Sequence, residues 1–366
     1  MSLPFDRHWS LDLHRLCALL GPPPAAFDPS ELSLVEWRRL LRLAGACWLD
    51  VALAWRSRVH GLTAVLPEPV REYLEGAEEL GRLRAEDQMR QAGQVIAILN
   101  DAGLHPLVLK GTAAHLTGLY PPGARLCCDI DLLLPAEEMD VAASVLRRHG
   151  YGEGPGPAAP EKPEAKHAPR LFHPEGMFGV ELHRHLTETL RTVLPAEEAL
   201  AAACSLPRGG PHALVLRSDH RVIHCVAHLV EDYWRGRQLS LRQFVELREL
   251  VLQAAAPLDW PAIAARFAPA RTSFHACLLL AERLVGLAPP PLRPGPAARL
   301  AAAANAMLFV RAPRASYRLA GLRGWMRLAT RQPPAALVRK ALTLRSPIRK
   351  VAAMAQDLTF LAGSLH

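Results

Sequence analysis

The sequence predicts an α+β fold in which a small core, a mixed sheet with helices, is flanked by helical regions on both sides. Three observations carry that prediction. Apolar residues recur at spacings of three and four through most of residues 11 to 100. Between residues 105 and 149, short apolar runs alternate with turn residues and helix-like stretches in β-α-β-α order. From about Pro195 onward helical patterns return. The corresponding organisation is an N-terminal helical region over 1–95, a core over 96–190 and a C-terminal helical domain with a basic tail over 191–366.

Taken in order, Leu32 to Val51 and Glu72 to Leu99 predict helices, parted by the Pro-containing stretch Leu66 to Pro69. His105-Pro106 opens a strand, Leu107-Val108-Leu109, which ends at Lys110-Gly111-Thr112 and leads into a helix over Ala113 to Leu119. The turn residues Tyr120-Pro121-Pro122-Gly123 precede a second strand, Cys127 to Leu134. A helix from about Glu137 to His149 follows Pro135. Residues 152–169 hold five Pro and three Gly without apolar periodicity, which predicts a mobile surface loop of the kind that often faces a substrate. Leu171 to His173 and Phe178 to Leu186 read as a hairpin-like return to the sheet around Pro174-Glu175-Gly176. Arg221 to Tyr233, Leu241 to Gln253, Phe274 to Leu287 and Arg299 to Val310 predict helices.

Composition narrows the class. Half of the 366 residues are hydrophobic (50%), enough for packed cores, and 24 Gly with 32 Pro are too few for a low-complexity chain. The seven cysteines, Cys17, Cys47, Cys127, Cys128, Cys204, Cys225 and Cys277, form no CxxC pair and are odd in number. They predict reduced thiols and a cytoplasmic location in place of a disulfide framework or zinc ribbon. The first residues carry charge where a signal peptide needs an apolar core, and every apolar run is broken before the ~18 residues of a spanning helix. Neither secretion nor a transmembrane segment is therefore expected. Residues 299–366 hold twelve Lys or Arg against one acid, Asp357, so the excess positive charge sits there.

The chemistry concentrates in Asp129-Ile130-Asp131. On a strand, residues i and i+2 share a face about 6 to 7 Å apart, so the two carboxylates can share a divalent cation. Packing alone gives an apolar strand no reason to carry two same-face acids, because unpaired buried carboxylates are costly. A hard cation such as Mg²⁺ fits the pair. Upstream, Lys110-Gly111-Thr112 ends a strand and opens a helix, where free N–H groups favour a phosphate and Gly permits close backbone approach. Downstream, Glu181 offers a third acid on a strand that can converge with the first two.

In order along the chain come Leu109-Lys110-Gly111, Tyr120-Pro121, Arg125, Asp129-Ile130-Asp131-Leu132-Leu133, Gly150-Tyr151 and Glu181-Leu182-His183. This series resembles the recurrent pattern of the uncharacterised nucleotidyltransferase family, a branch of the polymerase β-like nucleotidyltransferase superfamily. The resemblance spans about residues 95 to 190, and His60-Gly61, His224 and His228 match further recurrent positions on its flanks. The chain departs from the pattern in having Glu181 where Asp is common, and Cys127-Cys128 ahead of the acid pair.

The resemblance implies a polymerase β-like core. It also implies transfer of a nucleoside monophosphate from an NTP, such as ATP, to an acceptor with release of pyrophosphate. Such transfer needs mainly positioning and charge neutralisation. By the same resemblance, Asp129 and Asp131 hold two Mg²⁺ ions, and Glu181 binds the one near the nucleophile and helps deprotonate it. Gly111 and Thr112 contact triphosphate oxygens, Lys110 and Arg125 add charge-assisted contacts, and His183, His224 and His228 wall the pocket. The acceptor is left open among small molecules, peptides or proteins, and RNA.

Other patterns compete for a role. His220, His224, His228 and Asp232 recur every four residues on one face of a predicted helix, but no HExxH accompanies them, so packing or pocket lining outweighs zinc binding. Strand alternation puts Cys127 on the acids' face and Cys128 on the other, both as packing residues. The basic segment from Arg311 to Lys350 is either a solvated face or a surface for an anionic partner. Two alternatives follow: a catalytically silent binding protein, in which Glu181 would stand apart from the acid pair, and an RNA-directed transferase using the basic tail.

Overall fold

A computed structural model describes residues 8–22, 28–154, 166–206, 212–234 and 240–311. Four helices come first: α1 (Trp9–Leu20), α2 (Leu34–Ala46), α3 (Asp50–Val59) and α4 (Glu68–Asp101). Ser33 starts α2 through a reciprocal cap, its hydroxyl accepting from the Glu36 N–H while the Glu36 carboxylate accepts from the Ser33 N–H. The single helix expected over 32–51 is thus two. The chain turns between them at Trp48, whose left-handed backbone (φ +59°) cannot continue a right-handed helix.

The core follows as β1 (Leu107–Val108), α5 (Lys110–Leu116), β2 (Asp129–Leu133), α6 (Met139–Arg148), β3 (Gly152–Glu153), β4 (Leu171–Phe172) and β5 (Gly179–His183). Next are α7 (Ala196–Ala201), β6 (Cys204–Ser205), β7 (Leu214–Val215), α8 (Ser218–Trp234), α9 (Leu241–Leu252), α10 (Trp260–Arg266), α11 (Arg271–Val285) and α12 (Pro296–Arg311). The seven strands form one mixed sheet in the order β3-β4-β5-β2-β1-β7-β6. At its centre β2 and β5 run parallel over five residue pairs, with Asp129 opposite Gly179 and Asp131 opposite Glu181.

Several expectations are corrected. The stretch after Pro195 is not helical throughout, since β7 pairs in parallel with β1 and carries β6 on its outer side. β7 lies in the apolar run Ala213 to Leu216, and so short a run cannot be told from a buried helix segment by periodicity. The helix after the Gly corner begins at Lys110, ahead of Ala113. Within the stretch expected to be a surface loop, Gly152 and Glu153 belong to β3, and Lys166 to Ala168 run beside β5, where the Ala168 N–H donates to the Leu182 carbonyl at 2.9 Å. Residues 155–165 lie outside the described residues, as do 312–366 with most of the basic tail. Cys127 precedes β2, and its Sγ accepts from Arg125 Nη1 at 3.0 Å.

Alternation divides the central strands between two environments. Ile130, Leu132, Val180 and Leu182 are buried in a core shared with Val95, Ile96 and Leu99 of α4 and Val145 and Leu146 of α6. Removing one such aliphatic side chain from water contributes about 1.5–3 kcal/mol. Asp129, Asp131, Glu181 and His183 therefore share the opposite face. A second core joins α1 to α3 with α8, α9 and α11, so residues from both ends of the described chain form one helical body. Arg56 of α3 and Arg248 of α9 both pair with the Glu249 carboxylate inside it.

Candidate active site

Two buried glutamines on α4 hold the site strands. Gln88 Nε2 donates to the Asp129 carbonyl at 2.7 Å. Three residues on, Gln91 donates to the Phe178 carbonyl at 2.7 Å and accepts its N–H at 3.0 Å. These bonds fix β2 and β5 at the ends where their acids begin. On the other side, the Leu109 N–H donates to the Asp131 carbonyl at 2.9 Å, tying the Lys110-Gly111 corner to β2.

At that corner Lys110 is left-handed (φ +48°), a conformation costing a non-Gly residue on the order of 1–3 kcal/mol. The strained corner carries a side chain that reaches the acids, and Lys110 Nζ donates to Asp131 Oδ1. His183 Nε2 lies 2.8 Å from the same Oδ1 and 3.4 Å from Glu181 Oε2. Arg170 spans the remaining carboxylates, with Nη2 to Asp129 Oδ2 at 3.3 Å and Nε to Glu181 Oε1 at 3.0 Å. A side chain at Gly179 would stand 2.3 Å from Arg170 Cδ, so the glycine opposite Asp129 leaves the room in which Arg170 crosses the strand.

The carboxylates are driven apart in acidity. Burial would raise Asp131, but Lys110 and the His183 bond outweigh it and hold the carboxyl well below its usual range. Glu181 is likewise held down: burial opposes, while the His183 bond and Lys110 prevail. Burial and the neighbouring Asp131 charge push Asp129 up. Ligand atoms of Asp131, Glu181 and His183 all lie within 4.8 Å of one another. Two carboxylates and an imidazole so gathered fit a divalent cation, with Asp129 on the same strand face as a further oxygen donor.

Among the residues singled out in the sequence, the structure gathers Asp129, Asp131, Glu181, His183 and Lys110. Thr112 is buried, and its hydroxyl stands 3.4 Å from the Asp129 carbonyl and 3.2 Å from Gln88 Nε2. Arg125 turns to α9, donating to Glu246 Oε2 from Nη2 at 2.6 Å and from Nε at 3.2 Å. It also packs on Gly111, where an added Cβ would lie 2.3 Å from Arg125 Nη1 and 2.4 Å from Cys127 Sγ. Gly111→Ala is accordingly expected to destabilise the fold by about 1–3 kcal/mol and to displace Lys110. Thermal melting checks the first effect, and an unchanged melting point would show that the corner has slack.

His224 and His228 of α8 stack edge to face at 4.8 Å between centroids and are both kept neutral by burial and then the charge of Lys166. His220 sits apart from them, with Nε2 3.6 Å from Glu198 Oε1. Sequence reasoning missed Gln88, Gln91, Lys166 and Arg170. The glutamines had a signal, two polar residues at i and i+3 on the buried face of an amphipathic helix. Lys166 and Arg170 had none, because their stretch shows no periodicity.

A mixed sheet presenting acids from two adjacent parallel strands, next to a Lys-Gly corner and under flanking helices, is the arrangement that the resemblance to nucleotidyltransferases implies. The chain belongs to the family described as uncharacterised nucleotidyltransferases, whose profile matches residues 33–286. It is thus a nucleotidyltransferase, a transferase of phosphorus-containing groups. No curated protein and no solved structure matches it. None of the described helices is long and apolar enough to cross a membrane.

Proposed function

We propose that this nucleotidyltransferase transfers a nucleoside monophosphate from an NTP to an acceptor hydroxyl or similar nucleophile and releases pyrophosphate. The reading further takes Mg²⁺ as the metal, with two ions held by Asp129, Asp131 and Glu181 and with His183 as a nitrogen donor at the cluster. One observation carries it: Asp131 and Glu181 lie opposite each other in register, and their ligand atoms and one of His183 lie within 4.8 Å of one another. A silent relative has no need for three buried, mutually costly donors to converge.

In the proposed reaction the acceptor oxygen forms a bond to the α-phosphorus as the bond to the bridging oxygen of the β-phosphate breaks. The electron pair of that bond leaves with pyrophosphate, and the acceptor proton passes to the carboxylate cluster, with Glu181 nearest the nucleophile. A divalent cation, when bound, supplies neutralisation of phosphate charge and acidifies the attacking hydroxyl. Lys110 and Arg170 offset the mutual repulsion of the three carboxylates and fix their oxygens. Thr112 and Arg125 hold the corner from behind.

The test follows label. With Mg²⁺ and fractions of RNA, protein and small molecules as acceptors, label from [α-³²P]NTP is expected in one fraction, with pyrophosphate released and EDTA abolishing both. Transfer of label from [γ-³²P]NTP, or α-label transfer that survives EDTA, would contradict the reading.

A further inference from the structure

We propose that Lys166 is a phosphate-binding residue of this site, its ammonium donating to an oxygen of the NTP's triphosphate. The inference deepens the nucleotidyl-transfer reading and rests on it. Lys166 is 8% exposed. Its carbonyl accepts the Arg184 N–H at 2.9 Å and the His185 N–H at 3.2 Å, which anchors the residue at the end of β5 beside the acid cluster. The ammonium carries three donors, yet among the described residues its one hydrogen-bonding contact is His228 Nε2 at 3.4 Å. A buried ammonium so poorly satisfied is costly, and among the described residues the carboxylates of Asp131, Glu181 and Glu231 offset it only through space, with no hydrogen bond to it.

The acids around it are committed elsewhere. Asp131 is taken by Lys110 and His183, and Glu181 by Arg170 and His183. The oxygens of Glu231 accept the N–H groups of Glu188 and Thr189 and the Thr189 hydroxyl. Burial, and then the like charge of Lys110, push Lys166 down to about 8 against the pull of Asp131, Glu181 and Glu231, so what the group lacks among the described residues is an anionic oxygen in direct contact. Among the described residues, two further buried atoms nearby have no hydrogen-bond partner: His224 Nε2 and His183 Nδ1. Together they outline a polar site beside the carboxylates that calls for a ligand with several oxygens. A triphosphate supplies them, and its charge is the counterpart that Lys166 is missing.

Titration calorimetry of the full chain with inorganic tripolyphosphate and Mg²⁺ tests this without knowledge of base or acceptor. Lys166→Met is expected to weaken binding by about tenfold or more, the loss of one charged hydrogen bond. Lys166→Arg should recover part of it, and Arg90→Ala, on the exposed face of α4, should change nothing. Without ligand, Lys166→Met should melt no lower than the wild type, since a strained charge has been removed. Wild-type affinity in Lys166→Met would overturn the inference and leave the transfer reading intact. So would a drop in melting point with binding that Lys166→Arg does not rescue, the mark of a structural residue. A wild-type protein that binds neither tripolyphosphate nor any NTP would bring down the transfer reading and this inference with it.

Discussion

Asp131→Asn is expected to reduce α-label transfer by roughly a thousandfold, the scale on which loss of a principal electrostatic group acts in a desolvated site. The position is the hub of the cluster: its Oδ1 meets both Lys110 and His183, and its backbone faces Glu181 across the parallel pair. An amide is nearly isosteric, so the fold should survive. It cannot carry the negative charge that offsets Lys110, however, and its NH₂ puts a donor where the second carboxylate oxygen stood. Titration with Mn²⁺, followed by the electron paramagnetic resonance of the free ion, gives a reading that needs no acceptor and should show a corresponding loss of affinity. Activity within tenfold of wild type, with Mn²⁺ binding unchanged, would remove Asp131 from the centre of the chemistry.

The largest effect on stability is expected from Glu246→Ala, about 3 kcal/mol. Glu246 receives two bonds from Arg125, and the two side chains are only 13% and 10% exposed. Arg221 and Arg242 lie close enough to act on the same carboxylate. Removing it leaves buried positive charge uncompensated beneath Gly111, and the disturbance reaches Lys110 one residue away. Urea denaturation measures the loss. The double variant Arg125→Met with Glu246→Met, which removes both charges, should recover most of it, because an apolar pair of similar volume replaces a desolvated ion pair at little net cost. If the double variant is no more stable than Glu246→Ala, packing rather than charge holds the corner.

Both expectations concern residues that the sequence made visible to different degrees. Asp129 and Asp131 were legible because a period of two on an apolar strand leaves one face on which acids have no packing role. Glu181 was legible as an acid on a strand, and the Lys-Gly corner as a strand-to-helix turn. The ordered series of short motifs joined them into one site. Arg125 was legible as a charged residue of interest, but its partner was not, since Glu246 lies 121 residues away on α9. The same holds for the strands β6 and β7, whose two-residue runs form only because β1 offers an unpaired edge.

By itself, then, the sequence determined the alternation of the strands, the helical flanks and the identity of three acids, all of which depend on residues close together along the chain. Tertiary structure alone decided which cations meet those acids. Arg170 crosses over Gly179, Lys166 comes to rest against His228, and Gln88 and Gln91 of α4 set the two strands side by side. The physical reason is range: backbone preference and periodicity act over a few residues, whereas the pairing of buried charge is settled by whichever oppositely charged or polar group the packed chain brings within about 3 Å.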